Sequence, residues 1–285
     1  MADTMIGFHD NSLSTNFLTE EEIRKTCPFA FKTAPTNPGV SDRYVQATTI
    51  DVIHDMAKLG WLPVVAKQCR NKSNSKGIRS YHVVAFQNPN IKVMKDDNEV
   101  EAFPRIILTN SHDGFNSFKF MVGLFRLVCS NGLVVADEEF GNMSIRHINY
   151  TFEELRKTVV AFVAKLPEQI SILNQMRKYH MTDEQKHTFA VEAIKLRKGY
   201  EKDAKVQISE ETIEDVLTPV RKEDEGNSLW NVFNTIQEKI VKGNFHYSEK
   251  TKKPRKMRKI TSIVKDLQIN KELFNLANSY VKVAA

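Results

Sequence analysis

The hydrophobic rhythm of the chain changes near residue 149. Before that point, short β-branched and aromatic runs alternate with polar tips; after it, apolar residues recur every three or four positions. In the first half, WLPVVAKQC (61–69), SYHVVAFQ (80–87), PRIILTNSH (104–112), SFKFMVGLFRLVCS (117–130) and GLVVADE (132–138) predict strands, and YVQATT (44–49) predicts another. Asn131-Gly132 reads as a hairpin turn between the last two, because both residue types tolerate positive φ. Two helices are expected beside these strands. Thr19 opens a capping box, T-E-E-E, for a helix over 20–27 that stops near Pro28. Ile50, Ile53, Met56 and Ala57 share one face of a helix over 50–59, with Thr49 as its cap and Gly60 as its end.

The second half reads as helical. Thr151 and Glu154 form another capping box, followed by Phe152, Leu155, Val159, Phe162, Leu166, Ile170, Leu173 and Met176 at helical spacing. Pro167 interrupts this stripe and is expected to kink or split the helix. Further helices are expected over 182–199, 209–217, 227–242 and 271–282, with Gly243 ending the third of these. The fold class is therefore α+β: an antiparallel-rich sheet with packed helices, then a helical C-terminal region. The expected organisation is a flexible N-terminus over 1–17, a sheet domain over 18–148, and a helical region over 149–285 docked on that sheet.

At 285 residues, 41% hydrophobic and 27% charged, the composition is that of an ordinary soluble protein. The longest apolar runs, such as LVVA at 133–136, are too short to cross a bilayer, so no membrane partner is expected. MADTMIGFHDNSLST at the start lacks the pattern of a signal peptide. Cys27, Cys69 and Cys129 are odd in number and widely spread, which suits free thiols in the cytoplasm.

The placement of charge is more informative. Residues 67–82 carry Lys67, Arg70, Lys72, Lys76 and Arg79 without an acid, a net +5. Residues 242–259 carry eight basic residues against Glu249 alone, a net +7, while the whole chain is only +6. Cations concentrated on two polar loops point to a polyanion, foremost nucleic acid. Tyr81 beside the first run, and Phe245 and Tyr247 beside the second, are of the type that stacks on unpaired bases. The expected partner is therefore single-stranded nucleic acid. The phosphate contacts would come from the five cations of the first run with Lys252, Lys253, Arg255, Lys256, Arg258 and Lys259 of the second, forming one track on folding. No zinc-finger, bZIP or RRM signature is present, so weak sequence choice is expected.

Catalytic signatures are sparse. The chain has no phosphate-binding or dinucleotide glycine motif, no H-E-x-x-H and no C-x-x-C; no cofactor and no metal is expected. His112 with Cys129 and Asn131 could make a thiol site, but Cys129 in an apolar strand reads better as a buried inert thiol. Arg221, Asp224, Asn234, Gln237 and Glu238 form a second polar set, read as structural, with Arg221 pairing with Glu223, Asp224 or Glu238. Asp224 with Glu238 is a thin basis for a metal-dependent nuclease; the chain reads as a non-enzyme, with a cryptic nuclease as the further alternative.

FRLVCSNGLVVADE (125–138) after SHDG (111–114) resembles the core signature of the phage- and plasmid-like proteins grouped as domain of unknown function 932. TEEEIRKTCPFAF near the start, SDRYVQATTIDVIHDMAKLGW (41–61), RKEDEGNSLWNVFNTIQEKIVKG (221–243) and INKELFNLA (269–277) resemble the family in order and spacing. The resemblance implies a phage or plasmid origin and a place in a bacterial cytoplasm, with no catalytic residues to carry over. Annealing, recombination or replication of a mobile genome, in an oligomer, is the function expected with it. The rival is a factor that binds a host protein or assists particle assembly.

Overall fold

The structure, a computed structural model, describes residues 17–33, 48–69, 80–94, 100–112, 119–126, 132–133, 150–201, 203–249 and 253–284. The chain forms two compact units, residues 10–166 and residues 167–285.

In the first unit, helix α1 (Glu20–Thr26) starts on the expected capping box: the Thr19 hydroxyl accepts from the Glu22 N–H, and the Glu22 carboxylate accepts from the Thr19 N–H at 2.8 Å. A 3₁₀ turn, Pro28–Phe31, follows. Helix α2 (Thr49–Lys58) begins one residue before the expected start, because the Thr48 hydroxyl rather than that of Thr49 accepts from the Asp51 N–H. Thr48 and Thr49 thus open a helix instead of ending a strand, and residues 44–47 lie outside the described residues.

Strands β1 (Leu62–Gln68), β2 (His82–Gln87), β3 (Val93–Met94), β4 (Val100–Asn110), β5 (Lys119–Arg126) and β6 (Gly132–Leu133) build one sheet. Its order is β1-β2-β4-β5-β6, with β3 beside the start of β4 and every pairing antiparallel. Register decides which side chains meet. Ala66, Val84, Leu108 and Phe120 lie opposite one another across four strands, so they share a face. That face packs on Ile23 of α1, Val52, Ile53 and Met56 of α2, and Trp61. Leu155, Val159, Phe162 and Leu166 of helix α3 (Phe152–Lys178) close the same core, with the Trp61 and Phe162 rings edge to face at 5.4 Å.

Helix α3 is continuous through Pro167, against the expected split. Proline removes the N–H that would serve the Val163 carbonyl. Pro167 and Val163 are both exposed, so water can take that carbonyl and the helix continues.

The second unit comprises the end of α3, α4 (Asp183–Lys198), α5 (Glu210–Leu217), α6 (Leu229–Lys242) and α7 (Ile263–Ala284). A short ribbon, β7 (His246–Tyr247) and β8 (Arg255–Lys256), separates the last two helices. Helix α6 is central: it packs on α4, α5 and α7 and buries all its residues from Val232 to Val241. Helix α7 starts eight residues before the expected 271. Its first turns hide their apolar period because Asp266 and Asn270 occupy the buried stripe, where the Asn270 amide donates to Asp266 at 3.0 Å. No helix among the described residues is long and apolar enough to cross a membrane.

Candidate nucleic-acid interface

The ribbon begins where α6 must stop. Gly243 takes φ +69°, a left-handed value that glycine adopts without cost, and a Cβ there would lie 2.4 Å from the carbonyl carbon of Arg258. The returning strand therefore crosses directly over the helix end. The Ile260 N–H donates to the Val241 carbonyl at 3.0 Å, and the Met257 N–H donates to the Phe245 carbonyl at 2.9 Å. Arg197, at the end of α4, ties the end of α6 to the chain that crosses it. Its guanidinium donates to the carbonyls of Ile240 (3.0 Å) and Arg258 (2.6 Å). Burial lowers its pKa from the ordinary arginine value.

Three further clamps hold the base of the ribbon. Asp215 accepts from the Lys239 ammonium at 2.8 Å and from the His246 N–H at 3.0 Å. Burial pushes this carboxyl up, but the two donors outweigh it and hold it below its ordinary value. Ser248 meets Ser209 hydroxyl to hydroxyl at 2.7 Å, and its N–H donates to the Thr212 hydroxyl at 2.9 Å. The Tyr200 and Tyr247 hydroxyls each donate to Glu249 at 3.1 Å. Burial, then the hydrogen bonds of Tyr247 with the Tyr200 hydroxyl (3.2 Å) and Glu249, raise the Tyr247 phenol well above its ordinary range.

The cations lie on this scaffold. Lys253, Arg255, Lys256 and Arg258 are exposed and Lys259 is half-buried; Lys252 lies outside the described residues. Lys198, which sequence reasoning missed, stands over the Tyr247 ring at 4.3 Å and is itself exposed. A basic last turn before a helix-ending glycine is so common that K-L-R-K ahead of Gly199 carries no signal in the sequence.

Three expected contacts are corrected. Phe245 is 1% exposed and Tyr247 6% exposed: they face the body of the unit, so neither ring is a platform for a base. Lys67 is 9% exposed within β1. The rest of its run, Arg70, Lys72, Lys76 and Arg79, lies outside the described residues, and Tyr81 is half-buried with burial raising its phenol.

The polar set on and before α6 divides. Arg221 pairs with Asp224 at 3.0 Å and also with Glu238, which Lys242 contacts at 2.8 Å. The guanidinium thus pairs with both carboxylates. Asn234 instead donates to its own helix at Trp230 (2.6 Å), and Gln237 turns to Asn270 of α7 (2.7 Å). Among the described residues no group of three His, Cys, Asp or Glu is placed to hold a metal.

Cys129 also lies outside the described residues. His112 is wholly buried, its Nε2 lying 3.0 Å from the Phe29 carbonyl. Beside it is a network that no sequence motif announces. His82 donates through Nδ1 to the Ser80 carbonyl at 2.6 Å, so its Nε2 accepts from the Thr49 hydroxyl at 2.7 Å. Thr49 in turn accepts from the Asn110 amide at 2.9 Å. These residues tie α2 to β2 and β4.

The chain is similar over 262 residues to the UPF0380 proteins YafZ and YfjQ of Escherichia coli (strain K12), at 25% identity in each case. The similarity spans 92% of this chain and 91% of each relative. No solved structure matches it. Over residues 39–267 the sequence fits the family described as Domain of unknown function (DUF932), and the chain belongs to that family.

Proposed function

We propose that the protein binds nucleic acid through the cations of the β7–β8 ribbon, with Lys198 alongside. The observation that carries this reading is four solvent-facing cations, Lys253, Arg255, Lys256 and Arg258, on a backbone pinned by buried anchors. Phosphates draw such side chains by counterion release, and a fixed backbone lowers the entropy lost on contact. The single-strand preference expected from Phe245 and Tyr247 has no support from those buried rings. Handling of a mobile genome is the setting that the family resemblance adds.

The test is fluorescence anisotropy with labelled single-stranded DNA, duplex DNA and RNA at low salt. The fourfold variant Lys253→Gln, Arg255→Gln, Lys256→Gln and Arg258→Gln is expected to lose at least about ten-fold in affinity for the form bound best. Unchanged affinity in that variant overturns the proposal. No binding by the wild type, with a partner retained from nuclease-treated lysate, moves the cations to an acidic protein surface.

A further inference from the structure

Resting on the nucleic-acid reading, we infer that the ribbon's outer face enters the major groove of duplex DNA. In an antiparallel pair, residues directly opposite point to the same side. His246 lies opposite Lys256, and both are exposed; Tyr247 on the next position is turned into the unit. The Met257 N–H bonded to the Phe245 carbonyl extends the pairing one step beyond β8. Two residues beyond Lys256 on its strand, Arg258 is exposed as well. One face is thus a row of His246, Lys256 and Arg258; Phe245 and Tyr247 lie on the other and are buried, while Arg255, opposite Tyr247, is exposed.

Three physical points select the partner. A two-stranded ribbon fits the major groove of B-form DNA. The deep, narrow major groove of A-form RNA does not admit side chains. Single strands are gripped by exposed aromatic platforms, and the two rings of this ribbon are buried. Asp215, beside the ribbon, is engaged by Lys239, by the His246 N–H and, at 3.7 Å, by the His246 ring, so its charge is opposed locally and the row's cations are Lys256 and Arg258.

The experiment compares one sequence as duplex DNA, duplex RNA and single-stranded DNA at one salt concentration. A second duplex carries glucosylated hydroxymethylcytosine, which fills the major groove. The expected result is duplex DNA bound about ten-fold more tightly than duplex RNA, with a similar loss on glucosylation. The minor-groove ligand netropsin is expected not to compete. Lys256→Gln with Arg258→Gln is expected to abolish the preference at unchanged thermal stability. Equal binding of all forms, or tightest binding of single strands, overturns the groove inference and leaves nucleic-acid binding standing. Absence of binding to every form overturns both.

Discussion

Gly243 and Arg221 show how much of the second unit hangs on single side chains. A methyl group at 243 meets the Arg258 backbone at 2.4 Å and demands a left-handed residue. Gly243→Ala is therefore expected to cost about 1–3 kcal/mol, seen as a lowered urea midpoint. Arg221 neutralises two carboxylates whose side chains are 1% and 6% exposed. Arg221→Met leaves Asp224 without its guanidinium and Glu238 with Lys242 alone, and is expected to cost about 3 kcal/mol or more in equilibrium unfolding. A loss under about 1 kcal/mol contradicts the assigned role. Asp215 adds a pH dependence with a defined sign. Its folded pKa lies below the ordinary 3.8, so it contributes stability at higher pH that is lost as pH falls through the folded value. Unfolding midpoints measured downward from pH 5 are expected to drop more steeply for the wild type than for Asp215→Asn. The legible part of the candidate site was its charge. Which rings face outward was not, because that depends on the register of a two-residue ladder.

At the scale of elements, α3 carries the clearest test. Pro167 occupies an exposed interior position of a continuous helix. Replacing it with alanine restores a hydrogen bond to the Val163 carbonyl, and Pro167→Ala is expected to stabilise the protein by about 1–3 kcal/mol. A lowered melting temperature contradicts that view of the helix. Capping boxes at Thr19 and the Val/Ile-rich runs of β1, β2 and β4 were readable, since each uses a local rule. The start of α7 was not. Asp266 and Asn270 satisfy each other inside the unit, and their polarity erases the apolar period that marks a helix. The Thr49–His82–Ser80–Asn110 network was invisible for a related reason: its members come from three separate elements and a loop.

For the whole molecule, the distribution of charge outweighs its total. A net +6 over 285 residues says little, but +7 confined to residues 242–259 gives a local field. The ribbon holds Lys253, Arg255, Lys256 and Arg258 exposed on a base tied by buried hydrogen bonds, and the proposed function rests there. The most direct measurement is the dependence of nucleic-acid affinity on salt, for the wild type and for the variant with Lys253, Arg255, Lys256 and Arg258 all changed to Gln. Four phosphate contacts predict a wild-type slope of log K against log salt of about −2.8 for single strands to about −3.6 for duplex DNA, flattened toward zero in the variant. Equal slopes for the two proteins would contradict the account.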